Sequence, residues 1–285
     1  MTHTFQLPRE TGPILLLDRT RDLTEPDVLY SFALDELLCR QTGRGGPAIC
    51  HLWRHPQAFV MGVRDSRLPG AEAALQRLRA LGYDTAVRHS GGAAVPLDPG
   101  VVNLSLILPL APERKDLDFH PDFEVMVGLI RSALTDTGRT VDTGEIEGAF
   151  CPGTYDLSIG GRKFCGIAQR RQNKAFIVQA FIIAEGSGAE RAALVRSFYD
   201  EAGKGANPGE YPHVRPSSTA SLEELAGLRP DGSALFTESV KDVIRKLQAS
   251  ADPALLAEAA SRLELPGEKA VRDMADSLRQ RYVRK

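Results

Sequence analysis

Glycines 160 and 161 join two short runs, YDLSI and RKFCGIAQ, that both read as strand. A Gly-Gly pair between strands supplies positive φ at low steric cost, which predicts a two-residue hairpin. The turn sets the register. Ile159 is expected opposite Arg162, Ser158 opposite Lys163 and Asp156 opposite Cys165, and period two then places Ser158, Lys163, Asp156 and Cys165 on one surface. Phe164, Gly166 and Ala168 are expected on the other.

Strand and helix patterns alternate around this hairpin. ILLLDRT (14–20) reads as a buried strand, and 26–43 carries apolar residues at helical spacing before a Gly stop. Segment 47–63 reads as two strands around a turn at His55-Pro56-Gln57, and 70–82 as a helix ended by Gly82. Segment 88–110 reads as a Gly-rich turn, a loop and a long β-branched strand; 121–138 reads as a helix and 174–186 as a strand. Beyond Ser187 the patterns turn helical, with a capping-box spacing at Ser221 and Glu224 and helices expected over 234–249 and 253–285. The stretch 187–217 is expected to be a linker or a long surface loop. These readings predict a main domain over 14–249 and a helical C-terminal extension over 250–285.

Length and composition suit a globular enzyme-sized protein: 285 residues, 42% hydrophobic, 25% charged, net charge −2. The basic residues form no sequence run, so no nucleic acid or membrane partner is expected. With no apolar stretch of spanning length and no secretory pattern at the start, a cytoplasmic location is expected. The six histidines and four cysteines show no metal-ligand spacing, so neither a metal nor a cofactor is called for.

The cysteines are expected to be free thiols. Cys165, on a strand beside Gly166, is expected to be a small core thiol. Cys151 lies between Gly148-Ala149-Phe150 and Pro152-Gly153, a loop where a thiol is more accessible. Lys163 could reach back to that thiol and favour the thiolate, or it could pair with Asp156 as an ordinary strand lysine. Spacing alone leaves both open. Trp53, the only tryptophan, is expected in the core or in a ligand wall, while Asp98 and Asn103 are expected to hold the glycine turn by local hydrogen bonds.

Two blocks carry a resemblance. Arg88-His89-Ser90-Gly91-Gly92-Ala93-Ala94-Val95 with Asp98, Gly100 and Asn103, together with Gly161-Arg162-Lys163 and Gly166, resemble the signatures of the lipoate and biotin protein ligase superfamily, in order and spacing over residues 14–250. CPGTYDLSIGGRKFCGIAQRR is most similar to the octanoyl transferases within it. The resemblance implies an α/β (α+β) fold, a mixed β-sheet flanked by helices, with the glycine turn and the lysine bracketing an acyl tunnel. It implies that Cys151 forms an acyl thioester and that Lys163 lowers its pKa, with Arg88, Ser90, Gly91, Gly92, Asp156 and Gly166 as substrate-binding positions. The implied reaction moves an octanoyl or lipoyl group from the glycine cleavage H protein to lipoyl domains of 2-oxoacid dehydrogenases. Two departures bear on this: Leu97 stands where many ATP-using ligases have His, and Cys165 where alanine is usual. An octanoyl transferase drawing on acyl carrier protein, an ATP-dependent lipoate ligase and a catalytically idle carrier-binding module remain as alternatives. Backbone N–H groups at 90–92 or at Gly153 are candidate oxyanion donors, and Lys163 or His89 candidate proton donors.

Overall fold

A computed structural model describes residues 5–8, 11–111, 119–172, 174–207 and 209–281. Among the described residues, ten strands divide between two sheets. The strands are β1 (Ile14–Arg19), β2 (Ala48–Trp53), β3 (Ala58–Met61), β4 (Asp84–Val87), β5 (Val95–Leu97), β6 (Val101–Pro109), β7 (Asp142–Thr143), β8 (Leu157–Ile159), β9 (Arg162–Arg171) and β10 (Ala175–Ile183). Seven of them form a mixed sheet in the order β1-β2-β6-β10-β9-β8-β7, parallel only between β1 and β2. The others form a small sheet, β4-β3-β5.

The α-helices among the described residues are α1 (Leu29–Thr42), α2 (Ala71–Ala80), α3 (His120–Ala133), α4 (Gly188–Ala202), α5 (Leu222–Ala226), α6 (Gly232–Ala249), α7 (Pro253–Ser261) and α8 (Glu268–Gln280). β6 and β10 are buried on both faces, which is why they read as continuous apolar runs rather than alternating ones. One face of the large sheet packs against α3 and α6 through Met126, Ile130, Phe236 and Val240. The other packs against α1 and the small sheet with α2 and α4, and α8 lies against α1. This is the mixed sheet flanked by helices that the sequence resemblance implies.

Several expectations change. The strands flanking His55-Pro56-Gln57 exist but do not pair with each other; β2 joins the large sheet and β3 the small one. His55 explains the crossing, since Nδ1 accepts from Gln57 N at 3.1 Å and Nε2 meets the Pro26 carbonyl at 3.2 Å, stapling the turn to the start of α1. Within 187–217, read as linker or loop, α4 occupies fifteen residues and is N-capped by Ser187, whose Oγ accepts from Glu190 N. The pattern over 253–285 is not one helix. Pro266 cannot continue α7, and α8 restarts after Gly267; residues 282–285 lie outside the described residues.

The capping box forms as read. Ser221 Oγ accepts from Glu224 N at 3.2 Å and Glu224 Oε2 accepts from Ser221 N at 2.7 Å. Glu224 Oε2 also accepts from Gly188 N at 3.0 Å, so this cap ties α5 to the start of α4. Ser221→Ala is expected to lower unfolding stability by about 1 kcal/mol, measured by urea denaturation, with Glu224→Ala losing at least as much.

Candidate functional site

The site is built on the sheet face toward α1. Register aligns side chains in rows: Trp53, Asn103, Phe181 and Gly166 lie side by side on β2, β6, β10 and β9, and His51, Ser105, Gln179 and Ala168 form the next row. Apart from His51, these rows line one side of a cavity whose other lining includes Phe32 of α1 and Val60, Val95 and Leu97 of the small sheet. Arg88, Ser90 and Cys151 close one part of its wall.

The Gly160-Gly161 turn has φ of 58° and 75°, the two positive values expected for this hairpin. The expected register holds for Ile159 with Arg162 and Ser158 with Lys163, then breaks. Leu157, not Asp156, faces Cys165, because a bulge inserts Phe164. The bulge sends both Phe164 and Cys165 into the core under α3 and turns Lys163 to the opposite side, beside Gly166 and Phe181. The single surface shared by Lys163 and Cys165 is therefore replaced by two. Gly166 leaves the space this needs: a Cβ there would lie 2.5 Å from the Phe181 ring and 3.2 Å from Lys163 Nζ.

Lys163 is fully buried, and its ammonium meets three oxygens: the Phe150 carbonyl at 2.9 Å, the Cys151 carbonyl at 2.6 Å and Asp156 Oδ2 at 2.8 Å. Three donors meet three acceptors. The lysine thus grips the backbone of the cysteine loop and pairs with Asp156. Cys151 has φ of 48°, a left-handed conformation that a side chain adopts only when its surroundings impose it. Two adjacent carbonyls held by one ammonium impose it here.

The cation that reaches the sulfur is Arg88. Its Nη2 lies 3.0 Å from Cys151 Sγ, and the Ala93 N–H donates to the same sulfur at 3.3 Å. Arg88 also donates to the carbonyls of Gly91 and Ala93, closing the turn over 88–93 around its own guanidinium. Gly92, at φ of 100°, must be glycine: a Cβ would lie 2.3 Å from Arg88 Nη2 and 2.9 Å from Cys151 Sγ. On the outer side of this turn, Ser90, Gly91, Gly92, Ala93 and Pro152 line a second, open groove. Ser90 belongs to both. The Cys151 side of the turn is 8% exposed, far less open than its loop setting suggests, while Cys39, Cys50 and Cys165 are entirely buried. Burial pushes those three thiols up, Cys39 to about 12, away from the thiolate form.

Other expected residues find different places. His89 Nε2 meets the Leu278 carbonyl of α8 at 3.0 Å, so it ties the glycine turn to the last long helix. The Gly153 N–H, a candidate oxyanion donor, is taken by Asp156 Oδ2 at 3.1 Å. Asp98 does hold its local turn, accepting from Gly100 N at 2.8 Å, and pairs with Arg191. Asn103 holds no turn. It lines the cavity, and its Nδ2, like Ser90 Oγ and Trp53 Nε1 on the same wall, is buried without a hydrogen-bond partner. Burial raises Asp156 from the usual 3.8 to about 6, with Lys163 opposing the shift.

Two networks went unread in the sequence. Asp35 on the buried face of α1 accepts from Ser105 Oγ (2.6 Å) and Gln179 Nε2 (3.0 Å) and meets His51 Nδ1 at 2.8 Å, so the second row of the floor is pinned to α1. Behind the glycine turn, Tyr199 of α4 donates to Asp65 Oδ1 (2.9 Å) and accepts from Ala94 N (3.1 Å), while Asp65 Oδ2 accepts from Gly62 N (2.8 Å). Burial raises the Asp65 carboxyl and the Tyr199 phenol alike. An Asp and a His at inward positions of α1 and β2 were the available signal for the first network; the second joins residues 134 positions apart and had none.

Comparison with known proteins agrees with this architecture. The family model described as "Lipoyl protein ligase A/B catalytic domain" matches residues 27–249. A Bacillus velezensis protein curated as octanoyl-[GcvH]:protein N-octanoyltransferase is 43% identical over 234 residues, covering 79% of this chain and 80% of its own. A protein of the same name from Geobacillus kaustophilus is 43% identical over 203 residues, covering 70% and 71%. Among solved structures, lipoate-protein ligase A bound with ATP superposes with a TM-score of 0.63 at 19% identity, covering 96% of each chain. The bipartite lipoate protein ligase of Thermoplasma acidophilum, studied with its E2 lipoyl domain, gives 0.62 at 20% identity over 96% of this chain and 98% of that one. These two show the fold, and the family match together with the 43% relatives shows more: the chain belongs to the lipoyl protein ligase A/B catalytic domain family.

Proposed function

We propose that the protein is an N-octanoyltransferase that takes an octanoyl group from the lysine amide of the glycine cleavage H protein, holds it as a thioester on Cys151 and passes it to the lysine of a lipoyl domain. The observation that carries this reading is the placement of Cys151 Sγ, on the wall of a largely apolar cavity and against the turn that lines a second groove, with Arg88 and the Ala93 N–H aimed at it. Donors of this kind match an anionic sulfur better than an S–H. The curated relatives at 43% identity carry the name of this activity.

In the first half-reaction the sulfur attacks the amide carbonyl, the C–N bond breaks, and the lysine of the donor carrier leaves with the thiol's proton. In the second, an acceptor lysine attacks the thioester, the C–S bond breaks, and the amine proton returns to sulfur. One amide replaces another, so no ATP is consumed. The intervening thioester is less stable than either amide, and burial of the acyl chain offsets this at about 0.8 kcal/mol per methylene, on the order of 5 kcal/mol for the chain. Ser90 Oγ and Asn103 Nδ2, buried and unpartnered on the cavity wall, are suited to hydrogen-bond the acyl group. Lys163 acts through the backbone: with its three N–H groups occupied, it keeps Cys151 in the conformation that aims the sulfur.

Incubation with octanoylated H protein should add one octanoyl mass that hydroxylamine removes. Cys151→Ser should abolish the adduct and Cys165→Ala should keep it; an adduct retained in Cys151→Ser, or ATP–pyrophosphate exchange with free octanoate, overturns the assignment. Lys163→Met and Arg88→Met should separate two roles. Lys163→Met leaves a buried Asp156 unpaired and should cost about 3–5 kcal/mol in urea denaturation, whereas Arg88→Met should slow alkylation of Cys151 by iodoacetamide at pH 7 by about tenfold. Equal stability in Lys163→Met would remove its bracing role.

Asp156 gives a pH dependence with a definite sign. Its folded carboxyl, at about 6, keeps a proton that the unfolded chain releases near 3.8, so its contribution to stability declines as pH rises across that window and is steady above it. Activity runs the other way, because protonation below about 6 removes the charge that faces Lys163. The kcat/KM profile should therefore fall on the acid side of about 6, and Asp156→Asn should show a lower, flat acid limb; an unchanged limb would separate Asp156 from the reaction.

A further inference from the structure

Basic residues that are scattered in sequence gather on one surface of the fold. Arg40 and Arg44 at the end of α1, Arg170, Arg171 and Lys174 around the β9–β10 turn, and Arg281 just past α8 line one open groove. Its single carboxylate, Glu36, is buried and already meets Arg170 (2.6 Å) and Gln172 (2.8 Å). Arg40, Arg44, Lys174 and Arg281 are exposed, and none has an ion-pair partner among the described residues. Some exposed cations elsewhere are paired, as in Arg245–Asp242, Lys269–Asp273 and Arg272–Glu268, and others such as Arg64 and Arg139 stand apart; only in this groove do four without an ion pair come together among the described residues. In a chain of net charge −2, four unpaired cations in one groove repel one another in the free protein.

One hydrogen bond links the groove to the glycine turn beside the site. Arg170, which forms its wall, donates through Nη1 to the His89 carbonyl at 3.3 Å, and His89 is followed by Ser90, Gly91 and Gly92 in the groove outside Cys151. A domain seated on the cations thus lies against the turn that Cys151 faces. We propose that this groove docks an acidic face of the carrier domain whose lysine exchanges the acyl group, an inference that rests on the carrier-to-carrier reading above. Charge complementarity is the argument: the groove supplies unpaired positive charge, so the partner must supply carboxylates, and long-range attraction would orient it before the lysine arm reaches the sulfur.

The test is binding of the octanoylated carrier to the full chain, made catalytically silent by Cys151→Ser, with Arg44→Glu/Lys174→Glu introduced in the groove. The double reversal should weaken carrier binding by at least about tenfold. Raising salt from about 50 to about 200 mM should weaken binding to the chain with the native groove and have little effect on the reversal. Arg281→Glu, outside the packed helices, provides a second variant whose effect should have the same sign. In the chain with Cys151 intact, acylation by the N-acetylcysteamine thioester of octanoate, which needs no docking, should be unchanged by either variant. Equal carrier affinity in the variants, an equal loss with the small thioester, or affinity for anionic vesicles or duplex DNA matching that for the carrier would overturn the proposal. Failure of Cys151 to form any thioester would count against the covalent reading alone, since carrier affinity still decides the groove.

Discussion

A single buried ammonium organises this protein's centre. Lys163 Nζ is bonded to two successive carbonyls and to Asp156, with no water-exposed surface of its own. Burying a charge is costly unless it is paired and its hydrogen bonds are satisfied, and here all three protons are placed. The stabilisation flows into the backbone at Phe150 and Cys151, which otherwise lies in a disfavoured left-handed region. Phe150 in turn stacks on Phe181, at 5.7 Å between ring centroids, and Phe181 presses on Gly166. The conformation of the cysteine loop, the floor of the cavity and the choice of glycine at 166 are one arrangement.

A second charge completes it from the other side. Arg88 closes the glycine turn on itself and meets the sulfur, so the two cations divide the labour that a sequence reading assigns to one lysine: Lys163 holds the loop and Arg88 touches the thiol. The glycine turn also leans on the small sheet, because Gly62, just after β3, approaches Gly92 so closely that a Cβ would fall 2.0 Å from the Gly92 carbonyl oxygen. The two sheets therefore meet at the sulfur, and neither alone could build its surroundings.

Much of this was legible before the fold was known, and for physical reasons. Gly160-Gly161 marks its hairpin because few residues tolerate consecutive positive φ, and Ser221 with Glu224 marks its cap because the two side chains bond locally. Helices α1, α2, α3 and α6 follow from apolar spacing alone. The bulge at Phe164 was not legible, since nothing in RKFCG distinguishes a regular strand from one with an extra residue, and that one residue decides which side Lys163 faces. Nor was the break between α7 and α8 or the helix inside 187–217, where Gly188 and the small residues after it masked a helix start. The Arg88 contact with Cys151 spans sixty-three positions and emerges only when both sheets are assembled. The groove of unpaired cations is likewise drawn from three distant segments, so a search for basic runs passes over it.

The bond between His89 and the Leu278 carbonyl ties the turn beside the sulfur to nearly the last described residues, and α8 adds Val271, Met274 and Leu278 to the core around α1. During synthesis on the ribosome, the strands and the cysteine loop are made well before α8 leaves the exit tunnel. Until that helix docks, the turn lacks its outer anchor and α1 exposes an apolar stripe. A nascent chain would thus carry every reacting group early yet acquire a rigid site only once α8 has emerged and docked.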